Sequence, residues 1–229
     1  MFSIIIPTCD RPGFLRRALA SIETQSFRDF EIIVVNDGGQ SIDAAARILD
    51  NDQRGPIAAR NLGVANAFGD LIAFLDDDDW WIDSDHLASA AAALATAPFH
   101  FANGTMVFAD GSPEEPFRRT ADAASLQQNN TILISTVCYH KSLHRQLGAF
   151  DESLPYYWDW DWYLRIARSG ATLHHDTRPV AAIQVHAGNM SGARMEAERA
   201  ANLAMLGEKH GLKGLTLKNH LMIARERKI

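Results

Sequence analysis

The pattern of apolar and polar positions changes character near residue 98. Before it, short apolar runs alternate with segments of helical period. Residues 2–6 (Phe-Ser-Ile-Ile-Ile) predict a strand that ends in Pro7-Thr8. A helix follows from Pro12, which suits a first helical turn where no N–H is required. Phe14, Leu15, Ala18, Leu19 and Ile22 then share one face. Residues 30–35 are a run of β-formers typical of a strand covered on both sides. Residues 42–49 read as a short helix, 56–67 as another, 71–75 as a buried strand and 87–95 as an alanine-rich helix.

This β-α-β-α order predicts an α/β fold with a mostly parallel sheet between helix layers and right-handed crossovers. Ligands collect at the carboxyl ends of such strands. Here those ends are Pro7-Thr8-Cys9-Asp10, Asn36-Asp37-Gly38-Gly39 and Asp76-Asp77-Asp78-Asp79. Beyond residue 98 the runs shorten. Residues 99–103, 105–108 and 132–138 read as strands, and the polar stretch 109–130 as a surface loop. A helix is expected from near Asp159 to Ser169, stopped by Gly170, then a strand over 181–186. Two helices separated near 211–214 complete the chain. The expected organisation is one domain over 1–190 with a helical tail over 191–229.

Composition narrows the choice of function. With 229 residues, 47% hydrophobic and 22% charged, the chain is an ordinary globular protein that can bury a core without disulfides or a structural metal. A net charge of −6 argues against nucleic acid as a partner. It also makes a phosphate-rich substrate unfavourable unless a cation screens it. Cys9 and Cys138 show no metal-ligand spacing and read as free thiols of a reducing cytoplasm. No basic leader precedes the first strand, so no signal peptide is expected, and no apolar run reaches transmembrane length.

Four consecutive aspartates directly after a buried strand repel one another, which raises their pKa values and destabilises the fold unless a cation arrives. Hard carboxylate oxygens suit Mg²⁺ or Mn²⁺. At strand spacing Asp76 and Asp78 point one way and Asp77 the other. A solvated acidic loop capping the next helix is the plainer alternative, and the position at a strand's carboxyl end favours the metal.

The ordered motifs resemble the inverting glycosyltransferase family 2, whose fold is GT-A. The resemblance rests on FSIIIPTCDR (2–11), EIIVVNDGG (31–39), RGPIAARNLG (54–63), GDLIAFLDDDDWW (69–81), LGAFDE (147–152) and WDWDWYLR (158–165), and covers residues 1–190. It implies a nucleotide-diphosphate sugar donor, UDP-linked, and a carbohydrate or lipid-linked acceptor of the kind used in cell-surface polysaccharide biosynthesis. It implies that Pro7, Thr8, Asp10, Asp37, Arg60, Asp76 and Asp77 face the nucleotide sugar. Asp78 would ligate the Mg²⁺ or Mn²⁺, His186 with Asn189 and Ser191 would approach the metal or diphosphate, and Asp159 would be the general base. Two departures stand out: Trp158 replaces the family's usual Glu before the base, and the stretch from Asp37 to Arg54 is short, so a strand there would be vestigial.

Asp161 competes with Asp159, but it lies four residues before Arg165 and is expected to pair with it. His174 and His175 point to opposite faces of a strand and read as structural. Trp80, Trp81, Trp158 and Trp160 suit either sugar faces or core packing. The tail carries Lys213, Lys218, Arg225, Arg227 and Lys228 against Glu226, a net of about +4. It reads as a packed helix with a basic face, the alternative being a peripheral contact with the inner face of a membrane. A nucleotidyltransferase of similar fold, or a non-catalytic GT-A-like binding subunit, are the other readings. The first lacks its Gly-rich loop after the opening strand.

Overall fold

The computed structural model describes residues 1–186 and 195–226. Asn189, Ser191, Arg227 and Lys228, singled out above, lie outside the described residues. Nine strands form one sheet among the described residues. Phe2–Thr8 (β1), Phe30–Asn36 (β2), Arg47–Asp50 (β3) and Leu71–Phe74 (β4) run parallel in the order β3-β2-β1-β4. The helices Pro12–Glu23 (α1) and Pro56–Asn66 (α2) connect them. Period-2 alternation along β1 sorts the core into two layers. Ile5 joins a cluster with Ile57, Val64, Phe74 and Trp162, while Ile4 and Ile6 join Leu15, Ala18, Ile22 and Leu87. Gly63 of α2 is required by this packing, because a Cβ there would lie 2.5 Å from the Ile5 side chain.

The short helix expected over 42–49 does not form. Arg47–Asp50 instead pairs with Ile33–Asn36 of β2. Four residues are too few for a stable helix, whereas each gains a ladder partner on the open edge of β2.

The second half is built around two long neighbours. Phe99–Phe108 (β6) is continuous; the break expected at residue 104 is an irregular register at Ala102–Gly104 against Leu173–Val185 (β9). Pro179, which cannot donate to a ladder, sits within that irregularity. Between β4 and β6 lies Cys138–His140 (β8), antiparallel to both. The strand expected over 132–138 is a 3₁₀ turn at Ile134–Thr136 leading into β8. The stretch 109–130 contains a three-residue strand, Glu115–Phe117 (β7), paired with β6. Trp80–Trp81 (β5) pairs with Ala181 and Ala182 of β9, so the residues after the acidic run belong to the sheet's far edge.

The helices His86–Leu94 (α3), Ser142–Leu147 (α4) and Trp158–Arg168 (α5) precede two C-terminal ones, Glu196–His210 (α6) and His220–Arg225 (α7). Gly211, at φ 64°, takes the left-handed conformation that ends α6. The C-terminal turn of α7 is gripped by Arg119, whose Nη2 donates to the carbonyls of Ile223, Ala224 and Glu226. Arg225 pairs with Glu115 of β7, and Lys218 with Glu226 at 2.7 Å. No described helix is long and apolar enough to cross a membrane.

Candidate active site

The strand β4 and Leu75 are buried, and the chain turns at once, with Asp79 N donating to Asp76 O at 3.0 Å. The four carboxylates diverge from that turn. Asp76 meets the Arg60 guanidinium. Asp77 is fully buried, accepting from Thr8 Oγ1 at 2.6 Å and pairing with Arg11 Nη2 at 2.6 Å. Asp78 Oδ2 lies 3.0 Å from Arg11 Nη1 and 3.0 Å from His186 Nε2. Asp79 accepts from Ser135 Oγ at 2.5 Å and from the Gln184 backbone amide at 3.0 Å.

Oxygens of Asp76, Asp78 and Asp79 lie within 4.8 Å of one another, so this group could hold a metal ion. Asp79, given no role of its own by the resemblance, is thus part of the cluster, because Ser135 and β9 draw its carboxylate inward. Burial pushes the Asp79 carboxyl well above its ordinary value, and Asp78 and Asp76 push it further. Burial likewise pushes Asp77 up to about 6, against the opposing effects of Thr8 and Arg11. Three clustered hard oxygens, one of them disfavoured as an anion by its neighbours, fit a hard divalent cation.

Two arginines that the sequence did not single out organise the turn. Arg11 bridges Asp77 and Asp78. Arg17 stacks 3.8 Å from the Trp80 ring centroid, donates to the Asp78 carbonyl at 2.5 Å and donates to Gln184 Oε1 at 2.9 Å. Trp81 Nε1 donates to the Ser135 carbonyl at 2.9 Å. Both tryptophans therefore brace the turn.

The first and second strand ends meet beside this turn. Pro7, Thr8 and Asp37 line a cleft of about 490 Å³ together with Arg60 and Asp76 to Asp79. Asp37 Oδ1 accepts from Asn51 Nδ2 at 2.6 Å and from the Gly55 amide at 3.1 Å, which fixes the β2–β3 edge. Asp10 is not among the lining residues: at φ 53° its carboxylate turns back to accept from the amides of Gly39 and Gln40. Gly38 permits that approach, since a Cβ would lie 2.3 Å from Asp10 Oδ1. Arg60 Nη1 donates to the Pro56 carbonyl at 3.0 Å and the guanidinium lies 4.6 Å from the Trp158 ring centroid.

Asp159 opens α5 and lines the same cleft. Asn130 Nδ2 donates to its Oδ2 at 2.8 Å, and the Trp160 amide to its Oδ1 at 2.8 Å. Burial pushes its carboxyl up to about 6, although these hydrogen bonds and Arg60 act the other way. Asp161 is fully buried on another side of α5. It pairs with Arg165 at 2.9 Å, as its spacing predicts, and also with Lys209 at 2.7 Å and His210 at 2.8 Å. His174 stacks on His100 and His175 on Phe101, on opposite faces of β9.

A GT-A sheet with an acidic turn at a strand end and a buried carboxylate across the cleft defines a class of glycosyltransferases. The model for glycosyl transferase family 2 matches residues 3–150. The chain belongs to that family, and is a transferase enzyme of the glycosyltransferase type. It is 32% identical over 240 aligned positions to the uncharacterized glycosyltransferase YwdF of Bacillus subtilis (strain 168), covering 98% of this chain and 89% of that one. A GalNAc(5)-diNAcBac-PP-undecaprenol beta-1,3-glucosyltransferase of Campylobacter jejuni is 36% identical over 92 residues, 34% of this chain and 29% of the relative. S. aureus TarS 1–349 in complex with UDP-GlcNAc superposes with a TM-score of 0.71 at 20% identity, over 91% of this chain and 66% of that one. The mannosyltransferase PcManGT from Pyrobaculum calidifontis, in complex with GDP-Man and Mn²⁺, gives 0.66 at 18% identity, over 93% and 64%. The chain therefore spans less than two thirds of these two solved chains.

Proposed function

We propose that the chain is an inverting transferase that moves a sugar from a nucleotide-diphosphate sugar, UDP-linked, to an acceptor hydroxyl. The observation that carries this reading is the convergence of Asp159 and the carboxylate cluster on one cleft. Direct displacement needs a base for the attacking hydroxyl and a means of stabilising the leaving diphosphate. Asp159 takes the hydroxyl proton as the oxygen bonds to the anomeric carbon and the bond to the diphosphate breaks. A carboxyl near 6 is ionised at neutral pH yet still basic enough to accept that proton. The Asn130 and Trp160 donors hold the carboxylate in place.

Asp76, Asp78 and Asp79 would hold a divalent cation, Mg²⁺ or Mn²⁺, which when bound neutralises charge on the diphosphate. His186 stands against Asp78 and keeps its carboxylate oriented. Arg60 and Arg11 add fixed positive charge beside it. Pro7, Thr8 and Asp37 form the wall for the nucleotide; Asp10 supports that wall from behind through the Gly39 and Gln40 amides. The UDP-GlcNAc, GDP-Man and Mn²⁺ of the two solved relatives support this donor and cofactor class. A lipid-linked carbohydrate acceptor is supported by the name of the Campylobacter relative.

We assign the transferase domain to 1–190 and the helical tail to 191–229. Turnover of UDP-, GDP- and dTDP-sugars by purified protein with Mn²⁺ is the test. Absence of metal-dependent binding to every one of them overturns the reading.

A further inference from the structure

The cleft does not end at Asp159. Its acidic lining residues are Asp37, Asp76 to Asp79 and Asp159, all from strand ends or the start of α5. The wall beyond comes from the C-terminal part of the chain: Arg199 of α6, then Thr216, Lys218, Asn219 and His220. The cleft is therefore bipolar, with a cationic end set into a protein of net charge −6. Consecutive residues mark the division between the ends. Trp158 lies against Arg60 on the acidic side, whereas the Tyr157 phenol lies near the Arg199 guanidinium on the other. Asp159 follows them both.

Arg199 is 6% exposed and donates through Nη2 to the Lys218 carbonyl at 2.7 Å, which pins the Lys218 backbone against α6. The Lys218 ammonium pairs with Glu226, a surface residue outside the cleft lining. A guanidinium presents a planar fork of N–H donors matched to carboxylate and phosphate oxygens, and an ammonium adds a mobile point charge. The pair is only partly exposed, with side chains 22% and 43% accessible, and an anion entering the cleft competes with Glu226 for the Lys218 ammonium.

We propose that this end is an anion subsite for the acceptor. A carboxylate or phosphate carried by the molecule that Asp159 deprotonates is held by Arg199 and Lys218, while the donor diphosphate stays at the acidic end. The link to the acceptor rests on the transferase reading; the affinity for anions does not.

The probes are methyl β-D-glucuronide, glucose 1-phosphate and uncharged methyl β-D-glucoside. Each is titrated into the full chain saturated with UDP and Mn²⁺, and again into the ligand-free chain. The expected result is that an anionic probe binds at least about tenfold tighter than the neutral one, the scale of one charge-assisted hydrogen bond. That preference is lost in Lys218→Gln and Arg199→Gln. Lys218→Gln retains the Arg199 clamp on the backbone, so it decides the matter even if Arg199→Gln fails to fold. A stronger glucuronide response assigns a sugar-acid acceptor, and a stronger phosphate response a phosphate-linked one. Equal binding of neutral and anionic probes, no anion binding in the tens-of-millimolar range, or a preference that survives Lys218→Gln overturns the subsite. Failure of UDP to bind counts against the transferase reading alone, because the ligand-free titrations still report on the anion.

Discussion

Asn130 Nδ2 sits 2.8 Å from Asp159 Oδ2, so a loop residue fixes the carboxylate that the cleft offers as a base. Asp159→Asn is expected to lower kcat by ~10²–10⁴-fold, the usual contribution of a positioned base. Donor affinity should be retained. Calorimetric titration of donor beside single-turnover kinetics checks both; unchanged turnover would remove Asp159 from the role of base.

The same carboxylate predicts opposed effects of pH on rate and on stability. Its pKa is raised to about 6 from 3.8, so the native state binds its proton more tightly than the unfolded chain does. The folded state is therefore favoured fully below about 3.8 and loses that contribution as pH rises through about 6. Turnover should rise over the window in which stability falls. Asp159→Asn should melt higher than the wild type at pH 8, by at most on the order of 3 kcal/mol, with the difference closing toward pH 4. Melting curves across that range measure it.

Asp161 should behave in the opposite sense. It is held by Arg165, Lys209 and His210 around a fully buried carboxylate whose pKa is lowered despite burial. A depressed carboxyl contributes stability above its ordinary pKa and loses it as pH falls. Asp161→Asn leaves those cations without their anion and should cost about 3–5 kcal/mol at neutral pH, as for other broken buried pairs. Denaturant unfolding reads this directly; a loss of activity without a loss of stability would contradict the placement.

Asp78→Ala removes one of the three clustered carboxylates and the shared partner of Arg11 and His186. Mn²⁺ should raise the melting temperature of the wild type through binding to the native state. In the variant the affinity for Mn²⁺ should fall at least ~10-fold, the lower bound seen even for outer partners of metal ligands. An identical Mn²⁺ response in both proteins would remove Asp78 from the site.

Arg17→Met tests the support of the acidic turn. The change removes the stack on Trp80 and the donors to Asp78 O and Gln184 Oε1. A stability loss of about 1–3 kcal/mol is expected from one cation–π contact and two hydrogen bonds. The turn should also hold Mn²⁺ less tightly, whereas Arg17→Lys should recover part of the affinity.

The first hundred residues were legible because their strands and helices are separate in sequence and each has a clear period. Residues 30–35 and 71–75 are strands for the same reason that they are apolar: helices cover them on both sides. Periodicity read Arg47–Asp50 as helix because only its ladder with β2 distinguishes it from a helical turn, although the resemblance left room for a vestigial strand in that stretch. The strand β9 was read too short, since Asp176, Thr177 and Arg178 look like a loop until β6 supplies their partner. The site followed the same rule. Asp76 to Asp79 and Asp159 carry their chemistry in their identity and motif, but Arg11, Arg17, Ser135 and Gln184 act through contacts that no local pattern encodes.

The pairing of Trp80 and Trp81 with Ala181 and Ala182 also sets an order of assembly. A chain leaving the ribosome can dock β1 to β4 with α1 and α2 once the first seventy-odd residues have emerged. Its acidic turn then lacks both the β9 partner and the Gln184 amide that receives Asp79. Meanwhile β6 presents an unpaired edge of ten residues, the feature most prone to wrong association. A nascent chain arrested before residue 180 would thus be nearly folded yet chemically idle and sticky, and its rescue would fall to chaperones that recognise strand edges. Competence arrives late in synthesis, when β9 slots between β6 and β5 and closes the sheet.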